Sequence, residues 1–274
     1  MINFFRKIRK KMADDNPPDG RAGKPMKYMR YAIGEIVLVV VGILIALSIN
    51  NWNEENKNKK TEHTLYYEIF NDLEKDEIKL EGLRVFYKNR IEHAGWLLRK
   101  VRNPDVSLDN IEVGKHIDPL YIGPLHVGYT SSFDAAKSSG AFANFKNKTI
   151  LKALNQYYAD FEELKGIMES TLRLLEFSLE PIMSKIPMNY INEESGTYVL
   201  TSEAHDNKAF YQYIASIKDK RSLSVDINSV LQTPEFESYL MGDLGRSFNA
   251  LESLEIRIAQ LIKIKNEIEQ YISI

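Results

Sequence analysis

No cysteine occurs in this 274-residue chain. That absence excludes disulfides, thiolate zinc sites, iron–sulfur ligation, a cysteine nucleophile and a lipoprotein anchor. Glycine and proline are also sparse, at 14 and 9 residues, and cluster in a few segments, which favours long uninterrupted helices. The five histidines, His63, His93, His116, His126 and His205, include no i, i+4 pair of the kind that holds a metal on a helix, and HExxH is missing. GxSxG, GxGxxG and the phosphate-binding P-loop are missing too. The expectation is a protein without cofactor or metal, and not an enzyme. What remains, 44% hydrophobic and 27% charged, is globular composition, and the length allows one or two domains.

Net charge is −2, unevenly spread. Residues 1–30 hold nine Lys and Arg against Asp14, Asp15 and Asp19, and residues 36–274 carry −7. A basic head on an acidic body is a topology signal. Between them lies AIGEIVLVVVGILIALSI, residues 32–49, with Glu35 as its one charge. At 1.5 Å per residue it spans about 27 Å, and Tyr28, Tyr31 and Trp52 extend it into the interfaces. Soluble helices seldom run so long without a polar face. Basic residues before the span, and Asn50, Asn51, Trp52, Asn53, Glu54 and Glu55 after it, place the N-terminus in the cytoplasm by the positive-inside rule. Ala46-Leu47-Ser48 resembles a signal-peptide cleavage site, but the long basic region and the interruption at Glu35 favour an uncleaved anchor.

Glu35 reads as an interfacial acid in the first turn of the helix, favoured by the dipole, or as an intramembrane carboxylate that meets a partner. Gly42 and Ala46 form a small-xxx-small pair that permits close helix approach. Glu35, Gly42 and Ala46 are therefore the candidate interaction residues of the span. In the tail, Phe4 or Phe5 with Ile8 and Met12 share a face among five basic residues, which suits a helix lying on anionic lipid. Positive-inside topology already explains this charge, so no nucleic-acid partner is expected. Residues 13–26 have linker composition. The tail is too short for an effector domain, so any inward signal must pass to another chain.

Beyond the span the periodicity is helical. Over residues 54–101 the stripe is Leu65, Ile69, Leu73, Leu80, Leu83, Tyr87, Ala94, Leu98 and Val101, and no proline separates it from the span. Asp76 and Glu77 interrupt it and are expected on a part of the helix that neighbours leave uncovered. Residues 102–129 read as loop; His116, His126 and Asp118 within it make a loop metal site conceivable, without the spacing that would support one. Ser131 with Asp134 reads as a capping box, and Asn147 as the cap of the next helix. That helix carries Leu151, Leu154, Tyr158, Phe161, Leu164, Met168, Leu172, Leu175 and Leu179, ending at Pro181. A short strand over residues 197–200 and a helix over 206–220 follow. Thr233-Pro234-Glu235 starts the final helix, whose stripe is Leu240, Leu244, Phe248, Leu251, Leu254, Ile258, Leu261 and Ile268. The pairs Tyr66-Tyr67 and Tyr157-Tyr158 are expected to serve helix packing. The fold class expected is all-α: one N-terminal transmembrane helix followed by an antiparallel helical bundle. The domains are a tail over 1–30, a span over 31–52 and an extracytoplasmic bundle over 53–274.

The run YAIGEIVLVVVGILIAL from Tyr31 to Leu47, followed by Ile49-Asn50-Asn51-Trp52-Asn53-Glu54, resembles the opening of a family of uncharacterised bacterial single-span membrane proteins common in the Bacteroidetes. The N-terminal FFRKIRKK, the stretch from Ser138 to Tyr158 and the TPEF-led last helix resemble it as well. Ser48 departs from the Gln expected in many relatives. The resemblance implies a bacterial inner-membrane protein with a periplasmic C-terminal domain, and brings no catalytic residues. Two functions follow as expectations. The first is a non-catalytic module that binds a ligand or an envelope protein, with the bilayer and a protein partner or second copy as its partners. The alternative is an envelope enzyme with its site in the 102–129 loop.

Overall fold

The computed structural model describes residues 24–103, 110–123, 126–185, 208–218, 220–221 and 227–273. The tail face of Phe4, Ile8 and Met12, most of the linker and the strand at 197–200 lie outside them. Among the described residues the chain is helical and has no strand. In order, the helices are α1 (Lys24–Arg102), α2 (Asn110–Ile117), α3 (Ser131–Ser138), α4 (Lys148–Ala159), α5 (Phe161–Leu174), α6 (Glu180–Met183), α7 (Lys208–Ser216), α8 (Ile227–Leu231) and α9 (Pro234–Ile272). The 3-10 turns Asp118–Tyr121 and Ala141–Asn144 and a π turn, Leu175–Leu179, link several of them. The chain divides into two compact units, Met1–Asn58 and Lys59–Ile274.

In the first unit the described chain is the leading part of α1. Ile33, Ile36, Val37, Val39, Ile43, Leu44, Leu47 and Ile49 are all exposed. The most apolar 18-residue window of this helix has a mean hydropathy of 2.7, and none of it is buried. It is long and apolar enough to cross a membrane, and a helix meets the bilayer's demand that every backbone polar group be bonded internally.

The second unit has two clusters of buried side chains. One joins Tyr66, Ile69, Leu73, Leu80 and Leu83 of α1 to Leu154, Tyr157, Phe161 and Leu164 of α4 and α5 and to Leu254, Leu261, Ile264 and Ile268 of α9. The other gathers Ala94 and Leu97 of α1, Val113 and Ile117 of α2, Leu175 and Leu179 of the π turn, and Phe236, Tyr239 and Leu240 of α9. Each large aliphatic or aromatic group so buried contributes about 1.5–3 kcal/mol. The α4 cap is Asn147, whose side chain accepts from Ile150 N, and the α9 cap is Thr233, which accepts from Phe236 N. Both agree with the sequence.

The buried seams keep most of the expected apolar stripes, Ile69, Leu73, Leu80, Leu83, Tyr87 and Ala94 on α1 and Leu240, Leu254, Leu261 and Ile268 on α9, but fill the gaps with other residues. On α1 the buried positions are Glu62, Tyr66, Ile69, Leu73, Asp76, Leu80, Leu83, Tyr87, Arg90, Ala94 and Leu97, alternating steps of four and three, with Asp72 and Phe86 beside them. On α9 they are Phe236, Leu240, Asp243, Ser247, Ala250, Leu254, Arg257, Leu261, Ile264 and Ile268, with Tyr239 and Ile258 alongside. Leu65, Leu98, Val101, Leu244 and Leu251 flank these seams, and Phe248 is exposed. The strict heptad includes charged residues, which a reading of apolar groups alone passes over. The expectation for Asp76 is thus corrected: it is fully buried, whereas Glu77 stays partly exposed and pairs with Lys265 at 2.7 Å.

Candidate functional site: charged layers in the helical core

Charges enter an apolar seam only where partners compensate the loss of hydration. On α1, Glu62, Asp76 and Arg90 stand at the same heptad position, fourteen residues apart. On α9, Asp243, Arg257 and Tyr271 do the same. Arg90 meets Asp243, Asp76 meets Arg257, and Glu62 lies beside Tyr271. Each step up α1 is an equal step down α9.

Arg90 is the most fully engaged. Its Nε donates to both oxygens of Asp243 at 3.0 and 3.1 Å, and its terminal nitrogens reach Asp243 Oδ1 at 2.6 Å and the carbonyls of Pro119, Leu120 and Ile122 at 3.3, 3.1 and 2.7 Å. Burial opposes its charge, but Asp243 outweighs burial and raises its pKa further above the ordinary value. One side chain therefore ties α9 and the turn after α2 to α1.

Asp76 organises the middle layer. His126 Nε2 donates to Oδ1 at 2.7 Å, the Tyr157 hydroxyl donates to Oδ2, and Arg257 approaches Oδ2 at 3.4 Å. Arg257 also donates to the Tyr157 carbonyl at 2.6 Å, and its guanidinium lies 3.7 Å from the Tyr157 ring centroid and 4.7 Å from that of Phe161. Burial would raise the Asp76 pKa, but the hydrogen bonds from His126 and Tyr157 and the charges of His126 and Arg257 hold it below the usual carboxylate value. Burial, with Asp76 alongside, drives the Tyr157 pKa far above its ordinary value.

Two further acids of α1 cap other helices. Glu62 accepts from the backbone nitrogens of Lys146 and Asn147 at 3.1 and 3.0 Å, ahead of α4, while the Tyr66 hydroxyl donates to the Asn147 carbonyl at 2.9 Å. Asp72 accepts from Ser132 N at 3.0 Å and Ser131 Oγ at 3.1 Å at the start of α3. This replaces the expected capping box: Thr130 precedes α3 without a side-chain cap, and the acceptor comes from α1. Burial would raise the Asp72 pKa; its bonds to Ser132, Lys75 and Ser131 lower it instead.

The remaining sequence candidates are dispersed. His116 lies in α2 and meets His93, whereas His126 binds Asp76, so the two histidines serve different partners. Among the described residues no group of three or more His, Asp or Glu is arranged to hold a metal ion. Tyr157 and Tyr158 pack in the core, the Tyr158 hydroxyl donating to the Tyr129 carbonyl at 3.3 Å, while Tyr67 is exposed. Glu35, Gly42 and Ala46 are exposed on the first unit's helix; spacings of seven and four put them on one face. A Cβ added at Gly42 would meet nothing within 4 Å.

An Asp–His pair resembles the base half of a nucleophile dyad, but here it is closed. Asp76 is fully buried, the His126 side chain is 5% exposed, and its ring stands edge-on to Phe161 at 5.5 Å. Arg90 holds the carbonyls of Pro119, Leu120 and Ile122, and Asp76 holds His126.

The model of a family of unknown function, DUF6090, matches residues 35–164, from inside the apolar segment to the first turn of α5. No curated protein and no solved structure matches the chain. The last helix, with its TPEF start, lies outside the matched residues.

Proposed function

We propose that this chain is a non-catalytic, membrane-anchored module of the bacterial inner membrane. Its N-terminus lies in the cytoplasm, and residues 53–274 form an antiparallel helical bundle in the periplasm that binds a ligand or another envelope protein. One observation carries the non-catalytic reading. The buried charges of the core are consumed in capping helices and pairing helices, and the Asp–His pair has almost no exposed surface. The descending partner numbers between α1 and α9 support the antiparallel arrangement. The exposed apolar segment and the basic excess before it support the anchor and its orientation.

Within the bilayer the face of Glu35, Gly42 and Ala46 is assigned to a partner helix or a second copy. A buried carboxylate in lipid gains from a polar partner, and Gly42 permits close approach. Glu35→Gln and Gly42→Leu should each reduce crosslinked dimers or partner adducts severalfold in native membranes at equal expression. Unchanged crosslinking in both variants would leave the span as a tether alone.

A further inference from the structure

We propose that the His93–His116 pair is an acid-sensitive latch that holds α2 against α1, and that acid releases it to uncover the apolar surface beneath. His93 Nδ1 and His116 Nδ1 lie 2.9 Å apart, each on its own helix. A bond between two imidazole nitrogens needs one N–H and one lone pair. When both rings take up a proton, two N–H groups point at each other and the bond is gone. The His116 ring stacks on Trp96, with centroids 3.9 Å apart and planes within 4°, and Lys100 lies over the same indole at 5.2 Å. Below the latch, Val113 and Ile117 of α2 share a buried cluster with Ala94 and Leu97 of α1.

The surroundings set the direction. Arg99 and Lys100 on α1 and Lys115 on α2 oppose a charge on His116, while Glu112, whose Oε1 is 3.9 Å from His116 Nε2, favours it. Glu92 favours a charge on His93. Asp118 is buried in the following turn, and on α9 Asp243 is occupied by Arg90. Burial, then His93 and the three cations, push the His116 pKa down to about 4, and burial lowers that of His93 as well. The sign follows. Both groups titrate lower in the latched state than the ordinary 6.5, so the opened state binds more protons between about pH 6.5 and 4. Latching is strongest above pH 6.5 and weakens as pH falls. One proton of difference raises the opening constant about tenfold per pH unit in that window.

The full chain in detergent micelles provides the test, in a Trp52→Phe background so that Trp96 is the sole indole. Hydrogen exchange in residues 110–117, corrected for intrinsic rates, should show opening rising about thirtyfold from pH 6.5 to 5.0 relative to the Leu73–Leu83 stretch of α1. Trp96 emission should change reversibly over the same range. His116→Gln, which keeps a hydrogen-bonding group but cannot take the charge, should shrink the pH dependence of both profiles to the His93 share. An opening ratio in the unsubstituted pair that is constant between pH 6.5 and 5.0 overturns the latch, whatever the variant does. So does a His116→Gln profile that keeps the full pH dependence.

Discussion

Asp76 is a carboxylate with no exposed surface, held by a histidine, a tyrosine and an arginine. Removing it strands Arg257 in the core, and breaking a buried pair from one side typically costs about 3–5 kcal/mol. Asp76→Ala should lose that amount in chemical unfolding of the full chain at pH 7. Glu77→Ala, which breaks a partly exposed pair with Lys265, should cost about 1 kcal/mol or less. The pH dependence has a definite sign. The folded pKa of Asp76 lies below its ordinary 3.8, so its contribution is complete above pH 3.8 and is lost as pH falls through the folded value. The gap between wild type and Asp76→Ala should therefore narrow on acidification below pH 3.8; a constant gap would mean that the charge contributes nothing. At this scale the sequence is least readable. Nothing local distinguishes Asp76 from Glu77, because their fates depend on Arg257 and His126, residues distant in the chain. What does betray the core charges is the fourteen-residue repeat of Glu62, Asp76 and Arg90 on an otherwise apolar heptad.

At the scale of elements, the charged layers specify register. Shift α9 by one heptad along α1 and Arg257 faces Ile69 or Leu83, while Asp76 faces Ile264 or Ala250. Shift it by two and either Asp76 meets Asp243 or Arg90 meets Arg257. Only one alignment satisfies all three layers, which is how sparse polar groups in a helical seam select a partner register. Because the chain lacks cysteine, this is directly testable. A short dithiol-reactive crosslinker should join Ile69→Cys to Ile264→Cys efficiently. It should join Ile69→Cys to Ala250→Cys, fourteen residues away, poorly or not at all; equal yields would refute the single register. Helix existence and caps were readable from local signals: Asn147 and Thr233-Pro234 act on neighbouring backbone, so sequence and structure agree. Most of the α1 stripe was readable too, but the 244–251 stretch of the α9 stripe was not. Leu244, Leu251 and Phe248 drew the apolar stripe one residue off, since Asp243, Ser247 and Arg257 hold the positions that a hydrophobic count discards. The cap of α3 was missed for a related reason, its acceptor Asp72 coming from another helix.

For the whole molecule, the orientation proposed in the membrane rests on charge. Residues 1–30 carry nine Lys and Arg, and the residues directly after the apolar segment are Asn50, Asn51, Trp52, Asn53, Glu54 and Glu55. Translocating the head would move that positive charge outward against the membrane potential, whereas a flank of amides and acids crosses without that penalty. Lys57, Lys59 and Lys60 reduce the contrast without reversing it, because these three stand against nine Lys and Arg before the segment. A reporter active only outside the cytoplasm should accordingly work when fused after Ile274 and fail when fused at Met1. Retention of the anchor belongs to the same experiment. Glu35 breaks the clean apolar run that signal peptidase substrates present, so N-terminal sequencing of the membrane-bound fusion should find no cut after Ser48. An active Met1 fusion would invert the topology, and a mature terminus at Ile49 would replace the anchor by a leader. The first result would carry Glu35 to the opposite leaflet and the second would remove the Glu35–Gly42–Ala46 face from the mature chain, and both would leave the charged layers of the second unit untouched.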